Sequence, residues 1–170
     1  QIAGRDSTVQ FKTFPVALQE KISTYLLNGG NIIISGAYVA SDILGNVYTD
    51  AKEKLFFESI LKIKYNKSTT KISSVESQNV PLTSFKQSEM NLYNVPNRTS
   101  YYLESCDVIE PSIQDAFTFC RYEADNMSAG VAYKGKYRVC VLGFPLETII
   151  QEKERNKLIG NMLNFLSKKN

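Results

Sequence analysis

Apolar residues fall into a few short groups along the chain, each with a readable period. From Pro15, a residue favoured at the first helical position, Leu18, Ile22, Tyr25 and Leu26 recur at the spacing of one helical face. Asn28-Gly29-Gly30 ends that helix, because glycine accepts the left-handed backbone of a C-cap. Residues Asn31–Ser35 are β-branched and apolar on both faces, the pattern of a strand covered by helices on both sides. Residues 37–50 read as a loop with a short helical turn. Asp50 is placed to cap a helix with Leu55, Phe56, Ser59, Ile60 and Ile63 on one face.

Periodicity then fades. Residues 64–105 are rich in Ser, Asn, Thr and Gln and contain Pro81 and Pro96. Residues 72–75 and 101–103 read as short strands in an excursion of loops at one edge. From Ala116 the pattern is strongly β, with Phe117, Phe119 and Arg121 alternating against Thr118, Cys120 and Tyr122. Residues 129–133 and 137–142 form a hairpin around Lys134-Gly135-Lys136. A closing helix over about 151–166 carries Leu158, Ile159, Met162, Leu163 and Leu166 as its apolar stripe. Glu152 in its first turn and Lys168 and Lys169 just past its end suit the helix dipole.

Composition narrows the function more than the fold. The 170 residues suffice for one domain with a core, and no repeat or linker divides residues 1–170. A hydrophobic share of 43% with 22% charged residues is ordinary globular usage, not that of a disordered chain. Twenty basic and 17 acidic residues give a net charge of +3, too balanced for a nucleic-acid partner. No apolar run approaches the roughly 20 residues of a membrane span, so membrane insertion is not expected. The chain starts at Gln1 without a visible signal peptide, which suggests a processed product or a fragment of a larger protein. There is no histidine, so histidine-dependent catalysis is excluded. Cys106, Cys120 and Cys140 form no CxxC pair and read as buried thiols, with a Cys120–Cys140 bridge as the alternative. No cofactor or metal is expected.

Candidate chemistry is sparse. Ser35 and Gly36 follow the first strand, where open sheets bind ligands. Ser35 could be a nucleophile only with a lysine or carboxylate as base, and the G-x-S-x-G frame of a nucleophile elbow is absent. It otherwise simply ends the strand. Ser41-Asp42 could bind a cation or a sugar hydroxyl, or cap a short helix. Glu147, just past a strand end, could be functional or could accept loop N–H groups. Glu104, Asp107 and Glu110 could supply calcium ligands, but without EF-hand spacing a solvated loop is the plainer reading. Tyr93, Tyr101 and Tyr102 could form a sugar platform or pack at an edge.

Two segments carry a resemblance. Residues 24–43, TYLLNGGNIIISGAYVASDI, resemble a helix–GG–strand–turn unit of the class I glutamine amidotransferase-like superfamily. Residues 130–147, GVAYKGKYRVCVLGFPLE, resemble its later strand pair with a GFP-x-E turn. With the closing helix they cover about half the chain, and they look most like the C-terminal region of large secreted bacterial proteins labelled xanthan lyase. The resemblance implies an α/β fold, a flavodoxin-like three-layer α/β/α sandwich. It also implies a secreted, cell-surface or periplasmic location and a polysaccharide or the other domains of the parent protein as partners. The family's elbow corresponds to Ser35-Gly36-Ala37-Tyr38, which has no cysteine, so no catalytic residue carries over. The family's first βα unit is missing upstream of Ile32, which would leave the sheet to be completed by another segment or by a homo-oligomer.

The sequence reading is therefore a non-catalytic accessory domain, binding or scaffolding, of a secreted polysaccharide-associated protein. Its ligand would sit near Ser35, Gly36, Tyr38, Ser41, Asp42 and Glu147. The rivals are a carbohydrate-active enzyme, lyase or hydrolase, with a carboxylate-based site, and a purely structural interdomain module.

Overall fold

A computed structural model describes residues 12–45, 49–96 and 103–167. Helix α1 (Val16–Leu27) begins as its spacing predicts, with the N–H groups of Leu18 and Gln19 donating to the Pro15 carbonyl. Its buried face is different from the predicted one. Gln19 and Leu26 are buried, while Leu18 and Tyr25 are 43% and 54% exposed. Gln19 can go inside because its amide Nε2 donates to the Phe14 carbonyl at 2.7 Å, which removes the penalty of an unpaired polar group. Gly29, with φ at +89°, turns the chain into β1 (Asn31–Ser35).

Two short helices follow, α2 (Ser41–Leu44) and α3 (Ala51–Leu55), the latter capped by Asp50 through the Lys52 N–H at 2.9 Å. A π-helical stretch (Phe56–Leu61) continues α3 and ends at Lys62 in the left-handed region, φ 63°. Ile63, read as part of this helix, instead opens β2 (Ile63–Thr69). The supposed excursion holds β2, β3 (Ser74–Ser77) and β4 (Ser88–Asn91). Then come β5 (Cys106–Pro111), β6 (Ala116–Tyr122), β7 (Ser128–Lys134) and β8 (Arg138–Leu142), a 3-10 turn (Leu146–Thr148) and α4 (Glu152–Ser167).

The main sheet has the order β1-β8-β7-β6-β3-β4, and β2 and β5 form an antiparallel ribbon. β1 is parallel to β8, with Asn31 opposite Arg138 and Ser35 opposite Leu142. Every other neighbouring pair is antiparallel. The ribbon joins the main sheet where the Asp107 N–H donates to the Gly143 carbonyl at 2.9 Å, so the strands curl round as a half-barrel. Strand β8 is buried on both faces: Cys140 and Leu142 enter one core, Val139 and Val141 the other. The first core takes Leu158, Met162 and Phe165 from α4, with Phe85 stacked on Phe119 at 4.4 Å. The second takes Leu26 of α1, Phe56, Phe57 and Leu61. Leu163, assigned to the apolar stripe of α4, is 53% exposed.

This overturns the expected three-layer α/β/α, flavodoxin-like sandwich. The described residues form mainly a curled mixed sheet of eight strands with few helices. The physical reason lies in its connections: the successive strands β6, β7 and β8 pair through tight turns, and among the described residues only β1 and β8 make a parallel pair that demands a long crossover. The inference of a lost first βα unit presupposed that sandwich and falls with it. All three cysteines are buried and free, so Cys120 and Cys140 do not form the bridge held open above.

Candidate functional site at the carboxyl ends of β1 and β8

Because β1 and β8 are parallel neighbours in register, the segments that leave Ser35 and Leu142 start side by side. This adjacency brings the two predicted site segments, residues 35–42 and Glu147, to the same end of the sheet. Gly36 is buried, Ser35 and Tyr38 are partly exposed, and Glu147 is exposed on the 3-10 turn after β8.

Ser41 and Asp42 begin α2, and each has a structural setting. The Asp42 carboxylate accepts the Thr13 N–H at 2.6 Å, and the Thr13 hydroxyl donates to the Tyr38 carbonyl at 3.4 Å. Asp42 thus ties the segment before α1 to the loop after β1. Ser41 is buried, and its hydroxyl makes no hydrogen bond in strict geometry.

The residue at the centre of this region is Asp107, which sequence reading assigned to a solvated acidic loop. It lies instead on β5 and is completely buried. Its Oδ2 accepts the backbone N–H groups of Ala40 at 2.8 Å and Ser41 at 2.9 Å. Its Oδ1 has no partner within hydrogen-bond geometry, although the hydroxyls of Ser41 and Ser68 are near enough to lower its pKa. Burial dominates and holds the carboxyl above its ordinary value, with the Ser41 and Ala40 N–H groups pulling the other way. A calcium cluster of Glu104, Asp107 and Glu110 is not formed, since the Asp107 carboxylate is turned to the loop backbone. Among the described residues no group of three metal-ligating side chains converges.

Tyr122 completes the arrangement. Its buried hydroxyl lies 2.9 Å from the Asp107 carbonyl and 3.2 Å from that of Gly143, donating across the junction of β5, β6 and the end of β8. Burial, above all, pushes the phenol well above its usual pKa, and likewise lifts the Cys106 thiol beside it to about 12. Both stay protonated at neutral pH, so Cys106 is no thiolate nucleophile. A signal for Asp107 existed in the sequence: Cys106, Val108 and Ile109 around it are β-formers suited to a buried strand. Of the proposed sugar platform, Tyr93 is partly exposed, while Tyr101 and Tyr102 lie outside the described residues.

The fold and this site define a β-rich mixed-sheet domain in which a parallel strand pair delivers two loops to a common end, with a buried carboxylate anchoring one of them. No protein-family model matches the chain, and no curated protein does. Solved structures do. The cytoplasmic protein STM1381 from Salmonella typhimurium LT2 is similar with a TM-score of 0.58 and 12% identity, over 91% of this chain and 62% of that one. The exo-β-1,4-mannosidase Op5Man5 from Opitutaceae bacterium strain TAV5 is similar with a TM-score of 0.54 and 8% identity, over 91% of this chain and 24% of the mannosidase. The chain therefore spans less than two thirds of the first and about a quarter of the second. At these identities the likeness is one of fold.

Proposed function

We propose that the chain is a non-catalytic accessory module, binding or scaffolding, of a larger polysaccharide-associated protein. The observation that carries this reading is the use made of Asp107. The buried acid at the strand ends accepts two backbone N–H groups and so holds the loop that a ligand would meet. Such a carboxylate shapes a surface rather than moving protons at one. The mannosidase lends support, since there a region of this fold makes up about a quarter of a carbohydrate-acting chain. On this reading the exposed Glu147 and the partly exposed Ser35, Tyr38 and Asp42 offer the hydroxyl and carboxylate oxygens that a sugar's hydroxyl groups can pair with.

Calorimetric titration with soluble neutral and acidic polysaccharides, β-mannan among them, tests the proposal. The expected result is saturable heat with one class, weakened in Glu147→Ala without loss of the folded far-ultraviolet spectrum. Asp42→Ala also releases the Thr13 N–H, so its effect on folding is measured alongside its effect on binding. Release of new chain ends from any polysaccharide in the same panel would sink the non-catalytic reading. Flat heat throughout would remove binding and leave scaffolding.

A further inference from the structure

Strand β1 ends the main sheet, and among the described residues it pairs only with β8. Among the described residues its outer edge has no strand partner, so its outward backbone donors and acceptors are left for another strand to satisfy. Other strands that end a sheet are protected. β4 carries Glu89 and is followed by a bridge between Leu92 and Ile149, and β2 carries the exposed Lys64 and Lys67. β1 has no charge, no proline and no bulge, and Ile32 and Ile33 are only partly buried.

Apolar side chains flank this edge strand on both faces. On α1, Tyr25 donates its hydroxyl to the Asn31 carbonyl at 3.3 Å, and Leu18 lies seven residues earlier on the same stripe; both are exposed. On the other face the Leu166 carbonyl of α4 accepts Asn31 Nδ2 at 3.0 Å, and the exposed Leu163 lies one turn before it. Ile33 belongs to the core under α4, and Ile32 and Ile34 to the core under α1.

We infer that β1 is the contact through which two copies of this chain associate, by antiparallel β1–β1 pairing that joins their sheets. The sequence of the strand favours a second copy over an unrelated partner. A two-fold axis at Ile33 sets Ile32 of one copy opposite Ile34 of the other, and Asn31 opposite Ser35. Apolar residues meet their like, and no charge meets its own sign. An axis perpendicular to the sheet keeps each face on its own side. It therefore carries α1 of one copy toward α1 of the other, and α4 toward α4, where Leu18, Tyr25 and Leu163 can be covered. The contact is isologous and closes at two. It does not depend on the proposed ligand site, which lies at the strand ends rather than along the edge.

Sedimentation velocity of the full chain, from micromolar to near-millimolar concentration, reads the assembly, with amide hydrogen exchange of residues 32–34 as a second measurement. The expected result is a species of twice the 19.2 kDa chain mass, with exchange at β1 slowing as the dimer fills. The double variant Leu18→Lys, Leu163→Lys changes only exposed positions and should raise the dimer Kd at least about tenfold while keeping the monomer folded. A chain that stays monomeric throughout the range overturns the proposal. So does a dimer that ignores the double variant and leaves exchange at β1 unchanged.

Discussion

Burying Asp107 costs free energy that its two backbone donors only partly offset, because one carboxylate oxygen stays unpaired. Its pKa is raised in the fold, so folding disfavours the ionised form. The sign of the pH dependence follows. The contribution of Asp107 to stability is greatest below its ordinary value of 3.8 and is lost as pH rises through its raised folded value. Asp107→Asn keeps an oxygen acceptor for Ala40 and Ser41 but cannot ionise. Thermal melts of both proteins from neutral to mildly acidic pH should show the wild type gaining on the variant as pH falls. A constant offset would contradict the assignment. Asp107→Ala strands two buried N–H groups and should cost about 1–3 kcal/mol for each group left unsatisfied. Of the site, the candidates Ser35, Ser41, Asp42 and Glu147 were legible because they follow strands and strand ends are sequence-visible. Asp107 was not, because a carboxylate between other acids at 104 and 110 reads as solvated unless the strand around it is recognised.

At the scale of elements, the junction of β5 with the end of β8 is a close backbone approach. A Cβ placed on Gly143 would sit 2.0 Å from the Asp107 carbonyl oxygen, and that oxygen also faces the Tyr122 hydroxyl. Backbone, unlike a flexible side chain, cannot step aside cheaply. Gly143→Ala should therefore push β5 away from β8, costing about 2–4 kcal/mol in chemical denaturation and loosening the Ala40–Ser41 anchor. Retention of wild-type stability would mean that this junction yields easily. Glycine in Gly-Phe-Pro was legible as a strand terminator but not as a contact, since the partner lies 36 positions away on a strand the sequence hides. The same blindness explains β2 and β5. The alternation of β2 is interrupted by polar exposed positions such as Lys64, Asn66 and Lys67, and β5 is masked by the acids Glu104, Asp107 and Glu110, so periodicity alone reads both as loop. The extents of β6, β7 and β8 were read almost to the residue, but irregularities in β6 put Phe119, Cys120 and Tyr122 into one core where strict alternation had set Phe119 against the other two. The helix faces were misjudged by one position at α1, where Gln19 found a carbonyl partner and displaced Leu18 outward.

Over the whole molecule, two cores lie on opposite faces of one curled sheet, and β8 contributes to both. Local spacing could name the two long helices that cover those faces but not the sheet's topology, which depends on pairings far apart in sequence. The parallel pair is the most distant of these: Asn31 lies beside Arg138, 107 positions further along the chain. Contacts that close such long loops form late and slow folding. On the ribosome, the three isoleucines of β1 must wait for the last of the eight described strands before they have a neighbour. A nascent chain arrested before residue 138 should accordingly be sticky and protease-sensitive, and one arrested with α4 clear of the ribosome should become protected in a single step. Timed proteolysis of arrested chains would show that step, and gradual protection as each strand emerges would deny it. The first of the eight described strands to be made is thus among the last to find its place, and in that interval its apolar side chains are exposed to aggregation.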